Sequence, residues 1–245
     1  MYDPIAIAAA MESEISFLRG AMIPRSTKKD RFVVGTIGPK TVMLLRTGVG
    51  PARTAQRLSE ITGMHSPQCV LSIGCAGALE SHIHAGDVVI SEKVISDTSE
   101  GDEYSPSFEL RNAAKDCCER LKLPFHSGNT VTTSHVAATP EDKKRLAEKH
   151  AALSVDMETA QVAAWAHKLD IPMLSVRTIS DSSEDTLPAE IALFSTADGR
   201  LRPSKALTLL ARRPALFMEL LRLKRNFDRS LGVLEKIVLM LVRSI

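Results

Sequence analysis

Short apolar runs alternate with segments of helical periodicity along most of this chain. The apolar, β-branched runs predict strands at residues 5–10, 32–37, 41–46, 69–73, 87–95, 130–133, 153–155 and 172–179. Apolar residues that recur every three to four positions predict helices at residues 11–19, 51–61, 110–121, 140–150 and 156–169. Strands that alternate with helices indicate an α/β protein, which we expect to be a three-layer sandwich with a central mixed β-sheet flanked by helices.

Charge is unevenly distributed along the chain and divides it near residue 199. The 245 residues carry a net charge of +2. Residues 200–245 contain 11 basic and 3 acidic residues, a balance of +8, whereas residues 1–199 contain 20 basic and 26 acidic residues, a balance of −6. We therefore predict a main domain at residues 1–199 and a basic amphipathic helical tail at residues 200–245.

The tail has a helical pattern of its own. Helices are predicted at residues 204–212, from Pro214 to about residue 231, and from residue 233 onward. An apolar stripe follows the last helix at Leu234, Ile237, Val238, Leu241 and Val242. This stripe either docks on the main domain or a second subunit, or it lets a basic surface rest on anionic lipid. Few aromatic residues accompany the basic ones, which argues against nucleic acid as a partner.

Composition excludes several classes of protein. Apolar residues make up 44% of the chain and charged residues 24%, as in a soluble globular protein. The four cysteines lack CxxC spacing, so we predict a cytosolic protein without a metal site. The first residues lack a basic region followed by a long apolar run, which argues against a secretory signal. The chain has no uninterrupted apolar run of about 18 residues, the length of a membrane-spanning helix.

Five polar or glycine-rich motifs stand at the ends of predicted strands, where α/β proteins place their catalytic groups. They are AMESE (10–14), TGVGPARTA (47–55), SIGCAGAL (72–79), VDMETAQVA (155–163) and VRTISDSSED (176–185). The second motif resembles part of a dinucleotide-binding fingerprint, but it lacks the third glycine and the later acidic residue. This argues against a nicotinamide-dependent oxidoreductase.

In this order and spacing, the five motifs resemble the nucleoside phosphorylase and nucleosidase superfamily. The resemblance covers essentially residues 1–195 and is nearest to methylthioadenosine/S-adenosylhomocysteine nucleosidases. It implies that residues 1–199 form a catalytic domain that cleaves the N-glycosidic bond of an adenine nucleoside and releases adenine. Water or phosphate is the acceptor, no cofactor is implied, and a homo-oligomer is expected, with a dimer favoured.

The resemblance also assigns roles to the acidic residues. Asp181 is the acid that protonates the departing purine near N7, and Ser180 orients it. Glu158 accepts hydrogen bonds from the sugar hydroxyls and balances the positive charge that develops on the sugar. Glu14 is the general base for attacking water. The remaining substrate-binding residues implied are Met157, Cys75, Ala76 and Gly77.

Two departures leave the substrate and the acceptor open. Val136 stands where the nucleosidases carry an aromatic residue that packs on the purine. Arg46, Gly48 and Arg53 around the TGVG motif are candidates for binding phosphate, as in the phosphorylases of the superfamily. Arg177 is expected either to hold the site by ion pairing or to form a structural salt bridge.

The tail is similar to that of the hopanoid-associated phosphorylases, a branch of the same superfamily that is linked with adenine release from adenosylhopane. This resemblance implies an adenosyl-lipid as a second candidate substrate. It also implies peripheral contact of residues 200–245 with the inner face of the membrane. The alternative is a non-catalytic nucleotide-binding, membrane-associated module on the same fold, against which the presence of Asp181 and Glu158 argues.

Overall fold

The structure is a computed structural model that describes residues 2–28, 32–62, 66–97, 101–188 and 214–245. Its strands are β1 (Ile5–Ala9), β2 (Ile23–Lys28), β3 (Phe32–Ile37), β4 (Lys40–Arg46), β5 (Cys69–Ala78), β6 (Val88–Ser96), β7 (Glu103–Tyr104), β8 (Phe125–Thr132), β9 (Ala152–Asp156) and β10 (Met173–Asp181). Its α-helices are α1 (Ser16–Ala21), α2 (Pro51–Ile61), α3 (Phe108–Leu121), α4 (Pro140–His150), α5 (Thr159–Lys168) and α6 (Pro214–Ser244), and a short 3₁₀ helix spans Glu12–Glu14.

The strands form one mixed sheet. Strand β1 pairs in parallel with β4 and β5, and β2, β3 and β4 form an antiparallel meander at one edge. Strand β10 pairs with both β5 and β6. Since β6 pairs with β8, β8 with β9 and β9 with β5, these five strands close into a ring. The ring brings the carboxyl ends of β5, β8, β9 and β10 together.

Apolar cores cover both faces of the sheet. Alternate residues of β1 point to opposite sides, so that Ile5 and Ile7 join one buried cluster while Ala6 and Ala8 join the other. Helices α1, α3 and α6 contribute side chains to the first cluster, and α2 and α5 contribute to the second. Helices therefore flank a central mixed sheet on both sides, which confirms the predicted three-layer architecture.

Four strands differ from the prediction, since β8 begins at Phe125 and not at residue 130, β7 was not predicted, and β5 and β2 differ as follows. Strand β5 continues to Ala78, so the GCAG motif lies inside the strand and not in a loop after it. Strand β2 was not predicted, because its sequence IPRSTK has only one apolar residue and runs along the edge of the sheet. The predicted strands at residues 32–37 and 41–46 form an antiparallel hairpin, with Gly38 in the left-handed region (φ 59°) at its turn.

The described part of the tail is one continuous helix and not two. Helix α6 runs through Gly232 without a break, because its apolar stripe is held along its whole length by β5, β10 and α3. All five stripe residues, Leu234 to Val242, are fully buried in the first core. The predicted helix at residues 204–212 and the predicted boundary at residue 199 lie outside the described residues. No helix in the described ranges is long and apolar enough to cross a membrane.

Candidate active site

The carboxyl ends of β1, β5, β8, β9 and β10 surround a cavity of about 550 Å³. The lining includes every residue that the sequence assigned to catalysis or to the nucleoside. These residues are Glu14, Cys75, Ala76, Gly77, Val136, Met157, Glu158, Ser180 and Asp181. The three assigned acidic residues therefore share one cavity with Asp156, although they are up to 167 positions apart in the chain.

Glu14 lies buried beneath the cavity, held by backbone amides. The 3₁₀ helix places its carboxylate so that Oε2 accepts a hydrogen bond from the Met11 amide at 2.8 Å and Oε1 accepts one from the Cys75 amide at 2.9 Å. A Cβ atom on Gly74 would lie 2.7 Å from Oε1, so only glycine permits this approach. Burial outweighs these hydrogen bonds and raises the pKa of Glu14. A buried carboxylate with a raised pKa suits a general base.

Glu158 caps the start of α5 and faces the TGVG loop. Its Oε1 accepts a hydrogen bond from the Gly50 amide at 2.7 Å. The pKa of Glu158 is raised to about 8. Burial is the main cause, and the nearby negative charge of Asp156 also contributes. The left-handed φ of Gly50 (94°) turns its amide toward the carboxylate. The glycine-rich loop therefore binds an acidic side chain of the protein.

A buried polar network supports Glu158 from below. Arg177 Nε donates to Asp156 Oδ2 at 2.7 Å, and its Nη2 donates to Ser72 Oγ at 2.7 Å. Asp156 Oδ1 in turn accepts a hydrogen bond from the Glu158 amide at 3.3 Å. Of the two roles expected for Arg177, the structure gives it the salt bridge, through which it also fixes the β9–α5 junction of the site.

Asp181 ends β10 and has partners on both carboxyl oxygens. Ser180 Oγ donates to Oδ1 at 2.8 Å, as the assigned orienting role requires. Lys143 Nζ lies 2.6 Å from Oδ2, and the lysine side chain is fully buried. Sequence analysis missed Lys143, because it belongs to a run of charged residues, EDKKR, that is typical of a solvated helix face.

The mouth of the cavity is apolar and partly exposed. Val136 is 46% exposed and Val49 is 40% exposed. Phe227, from α6, and Leu187 complete this side of the lining. Phe227 was missed because the tail was assigned outside the catalytic domain. Phe227 and the imidazole of His135 are the aromatic side chains in the described lining, and Val136 occupies the loop position at which the family resemblance placed an aromatic residue of the nucleosidases.

The three residues proposed for phosphate do not line this cavity. Arg46 lies 3.8 Å from Glu12 in an exposed ion pair. The side chain of Arg53 covers Gly48, since a Cβ atom on Gly48 would lie 2.5 Å from Arg53 Cδ. The amide of Gly50 in the same loop is used by Glu158.

Neither a metal site nor a reactive thiol is evident within the described residues. These residues contain no group of three His, Cys, Asp or Glu side chains that could hold a metal ion. Burial strongly raises the pKa of the Cys75 thiol, and the nearby Glu14 carboxylate adds to the shift. A protonated thiol is a poor nucleophile, so Cys75 serves as a wall of the cavity.

A mixed α/β sheet with buried acidic side chains around a cavity at its carboxyl edge is the arrangement of an enzyme that works by acid–base chemistry on a small molecule. The chain belongs to the phosphorylase superfamily, whose family model matches residues 4–211. This match confirms the family that the five motifs indicated.

Individual relatives agree with this assignment. The chain is 28% identical over 203 residues to a 5′-methylthioadenosine/S-adenosylhomocysteine nucleosidase of Exiguobacterium sp., covering 74% of this chain and 86% of that protein. It superimposes on the Neisseria meningitidis nucleosidase of the same name, solved with methylthio-immucillin-A, with a TM-score of 0.79 at 20% identity, covering 99% of this chain and 100% of that one. Futalosine hydrolase of Helicobacter pylori gives a TM-score of 0.76 at 17% identity, covering 99% and 98%. This coverage means that α6 belongs to the shared fold.

Proposed function

We propose that this chain hydrolyses the N-glycosidic bond of an adenine nucleoside and releases adenine. The observation that carries the proposal is the placement of two acidic groups along one strand of the cavity. Glu14 lies against Gly74 and Asp181 lies against Gly77. Three residues of extended strand span about 10 Å, enough for a ribose and the edge of a purine between the two groups.

Each acidic group then has one step in the reaction. Asp181 gives a proton to N7 of the purine as the glycosidic bond breaks and its electron pair moves to the base. Glu158 accepts hydrogen bonds from the ribose hydroxyls, and in its ionised form its charge stabilises the cationic sugar. Glu14 takes the proton of the water whose oxygen bonds to the anomeric carbon. The products are adenine and the free sugar.

Water is the acceptor that the cavity favours over phosphate. The acceptor side contains the buried carboxyl group of Glu14, which would repel an anion when ionised. Arg46 and Arg53, the cations proposed for phosphate, do not line the cavity. A hydrolase reaction therefore fits these surroundings better than phosphorolysis.

The apolar mouth supports a nucleoside with an apolar group at its 5′ position. Val49, Val136 and Phe227 offer hydrocarbon surface there. A methylthioadenosine or adenosylhomocysteine type of substrate fits within this mouth. An adenosyl-lipid such as adenosylhopane, which the tail resemblance implies, would extend past it along α6.

The same helix supports peripheral membrane contact. Lys224, Arg225 and Arg229 on α6 are exposed, and Met218 on the same helix is 67% exposed. Sedimentation with anionic vesicles should weaken with added salt and in a K224Q/R225Q/R229Q variant. A K93Q/K144Q/R145Q variant, which removes three exposed cations elsewhere, is the matched control. Equal sedimentation of both variants would contradict the membrane contact.

A homodimer is the last part of the proposal. It rests on the resemblance to the nucleosidases, and the exposed side chains of Ile23 (72% exposed) and Phe108 (64% exposed) offer apolar surface for it. Analytical ultracentrifugation at micromolar concentration tests it, and a single species of 26.7 kDa would contradict it.

The deciding experiment measures free adenine. The protein is incubated with methylthioadenosine, S-adenosylhomocysteine, adenosine and an adenosyl-lipid, each with and without phosphate. Adenine release that is independent of phosphate is the expected result. Release that requires phosphate, with a ribose 1-phosphate product, would replace hydrolysis by phosphorolysis. Tight nucleoside binding without release would favour the non-catalytic alternative.

A further inference from the structure

We propose that Lys143 is the positioning residue for Asp181, and that it acts through this carboxyl group without touching the substrate. The proposal rests on the function proposed for Asp181 above. Lys143 Nζ lies 2.6 Å from Asp181 Oδ2, and Ser180 holds the other carboxyl oxygen. The carboxyl group is thus held on both oxygens by side chains from two different elements.

The ammonium group of Lys143 occupies a site built for it. It donates to the Ser182 carbonyl at 2.6 Å and to the Asp185 carbonyl at 3.2 Å, in addition to Asp181. An ammonium has three protons, so all of them have acceptors. All three acceptors come from the end of β10 and the turn that follows. A charge buried with a full set of partners is stable, whereas the same charge without them would be very costly.

Helix α4 directs this one lysine inward from a run of charged residues. Lys144 and Arg145 are exposed, whereas Lys143 and Leu146 are fully buried. Thr139 caps the helix by accepting a hydrogen bond from the Asp142 amide, and this fixes the rotation of its first turn. The residues that place Lys143 are therefore separate from those that form the cavity.

The charge of Lys143 suits the step assigned to Asp181. When the carboxylic acid gives its proton to the purine, it becomes a carboxylate, and the ammonium 2.6 Å away stabilises that product. Lys143 keeps its own protons throughout. Removing the ammonium should therefore slow the step in which the base needs a proton, and little else.

Two substrates separate this role from a purely structural one. An adenine nucleoside needs a protonated leaving group, whereas the 4-nitrophenolate of a 4-nitrophenyl riboside leaves without a proton. We expect K143M to lower kcat for adenine release about 100-fold, with KM changed by less than about 3-fold. Hydrolysis of the nitrophenyl riboside should change by less than about 3-fold. K144M, a change of the neighbouring exposed lysine, is the control and should leave both rates unchanged.

Loss of both activities of K143M to the same extent would overturn the proposal, because misfolding or a displaced turn affects every substrate.

A double substitution provides a second test of the same role. In a D181N background, K143M should lower adenine release by less than about 3-fold, because the group on which it acts is already gone. A further 100-fold loss there would also overturn the proposal.

Thermal unfolding tests the pair without any turnover. K143M and D181N should each lower Tm, because each leaves the partner buried without its counter-charge. The double variant K143M/D181N should melt no lower than the less stable single variant. Additive losses of Tm would overturn the coupling of Lys143 to Asp181. A wild-type chain that folds but releases neither adenine nor nitrophenolate would instead contradict the proposed function.

Discussion

The floor and the mouth of the cavity are built on opposite principles. On the floor, two backbone amides hold Glu14 and one holds Glu158. Two side chains hold Asp181. At the mouth, Val49 and Val136 are partly exposed apolar side chains, with 40% and 46% of their surface accessible. The floor fixes the orientation of the groups to which we assign the reaction, whereas these two residues of the mouth offer shape and apolar surface. The difference suggests that the reaction depends on the floor and the choice of substrate on the mouth.

The strongest test of the floor is to remove its acid. We expect Asp181→Asn to lower the rate of adenine release about 100-fold or more, the usual contribution of a positioned acid. Stopped assays of free adenine under single-turnover conditions measure it. Glu184→Gln, an exposed carboxyl group three residues away, is the matched control. A near-wild-type rate for Asp181→Asn would remove Asp181 from this role.

The burial of the floor should also be visible in the pH dependence of stability. Since the folded state raises the pKa of Glu158 from 4.5 to about 8, the folded protein holds this proton more tightly than the unfolded chain does. The resulting stability is complete below pH 4.5 and is lost as the pH rises toward about 8, by up to about 1.4 kcal/mol per pH unit.

Urea unfolding of the wild type and of Glu158→Gln at pH 5.5, 6.5 and 7.5 measures this loss. The free energy of unfolding of the wild type should fall relative to that of the variant as the pH rises. Glu14, whose pKa is also raised by burial, is present in both proteins, so the difference reports Glu158 together with its charge coupling to Glu14. Parallel pH profiles would mean that Glu158 titrates normally in the folded state.

The sequence predicts the floor much better than the mouth, for a physical reason. Asp181 and Glu158 follow apolar runs that predict strands, and the carboxyl ends of such strands meet at one edge of the sheet. Phe227 reaches the cavity from a helix 46 residues beyond Asp181 in the chain, and no local pattern links the two. Lys143 sits in a charged run whose composition favours solvent, and only tertiary packing of α4 turns it inward.

The same limit applies to the glycine-rich motifs. Both were among the motifs predicted to stand at strand ends near the catalytic groups, and both do lie at the site. Gly74, however, is required because Glu14 approaches it closely, and Gly50 because its left-handed φ (94°) directs its amide to Glu158. In both cases the glycine contacts an acidic side chain that is distant in the sequence. The local sequence therefore does not show the pairing.

A smaller effect is expected at the mouth. Phe227→Ala should raise KM about 10-fold for a nucleoside with a large apolar 5′ group, because loss of apolar contact in a pocket is worth roughly 1–3 kcal/mol. It should change kcat by less than about 2-fold, since no acidic group moves. Adenosine, which has only a hydroxyl there, should be nearly unaffected. Met218→Ala, an exposed residue of the same helix, serves as the control. An equal increase of KM for all nucleosides would mean that Phe227 contacts the purine instead.

The smallest effect concerns Arg46, which belongs to neither region. Its guanidinium lies 3.8 Å from Glu12, and both side chains are about 40% exposed, so the ion pair contributes little to stability. We expect Arg46→Ala to leave kcat/KM for adenine release within about 2-fold of the wild type, with or without phosphate in the assay. A phosphate-dependent rate that disappears in Arg46→Ala would contradict this expectation and would extend the reactive floor to the TGVG loop. A null result would restrict the floor to the carboxyl ends of the strands, which agrees with the proposed hydrolysis.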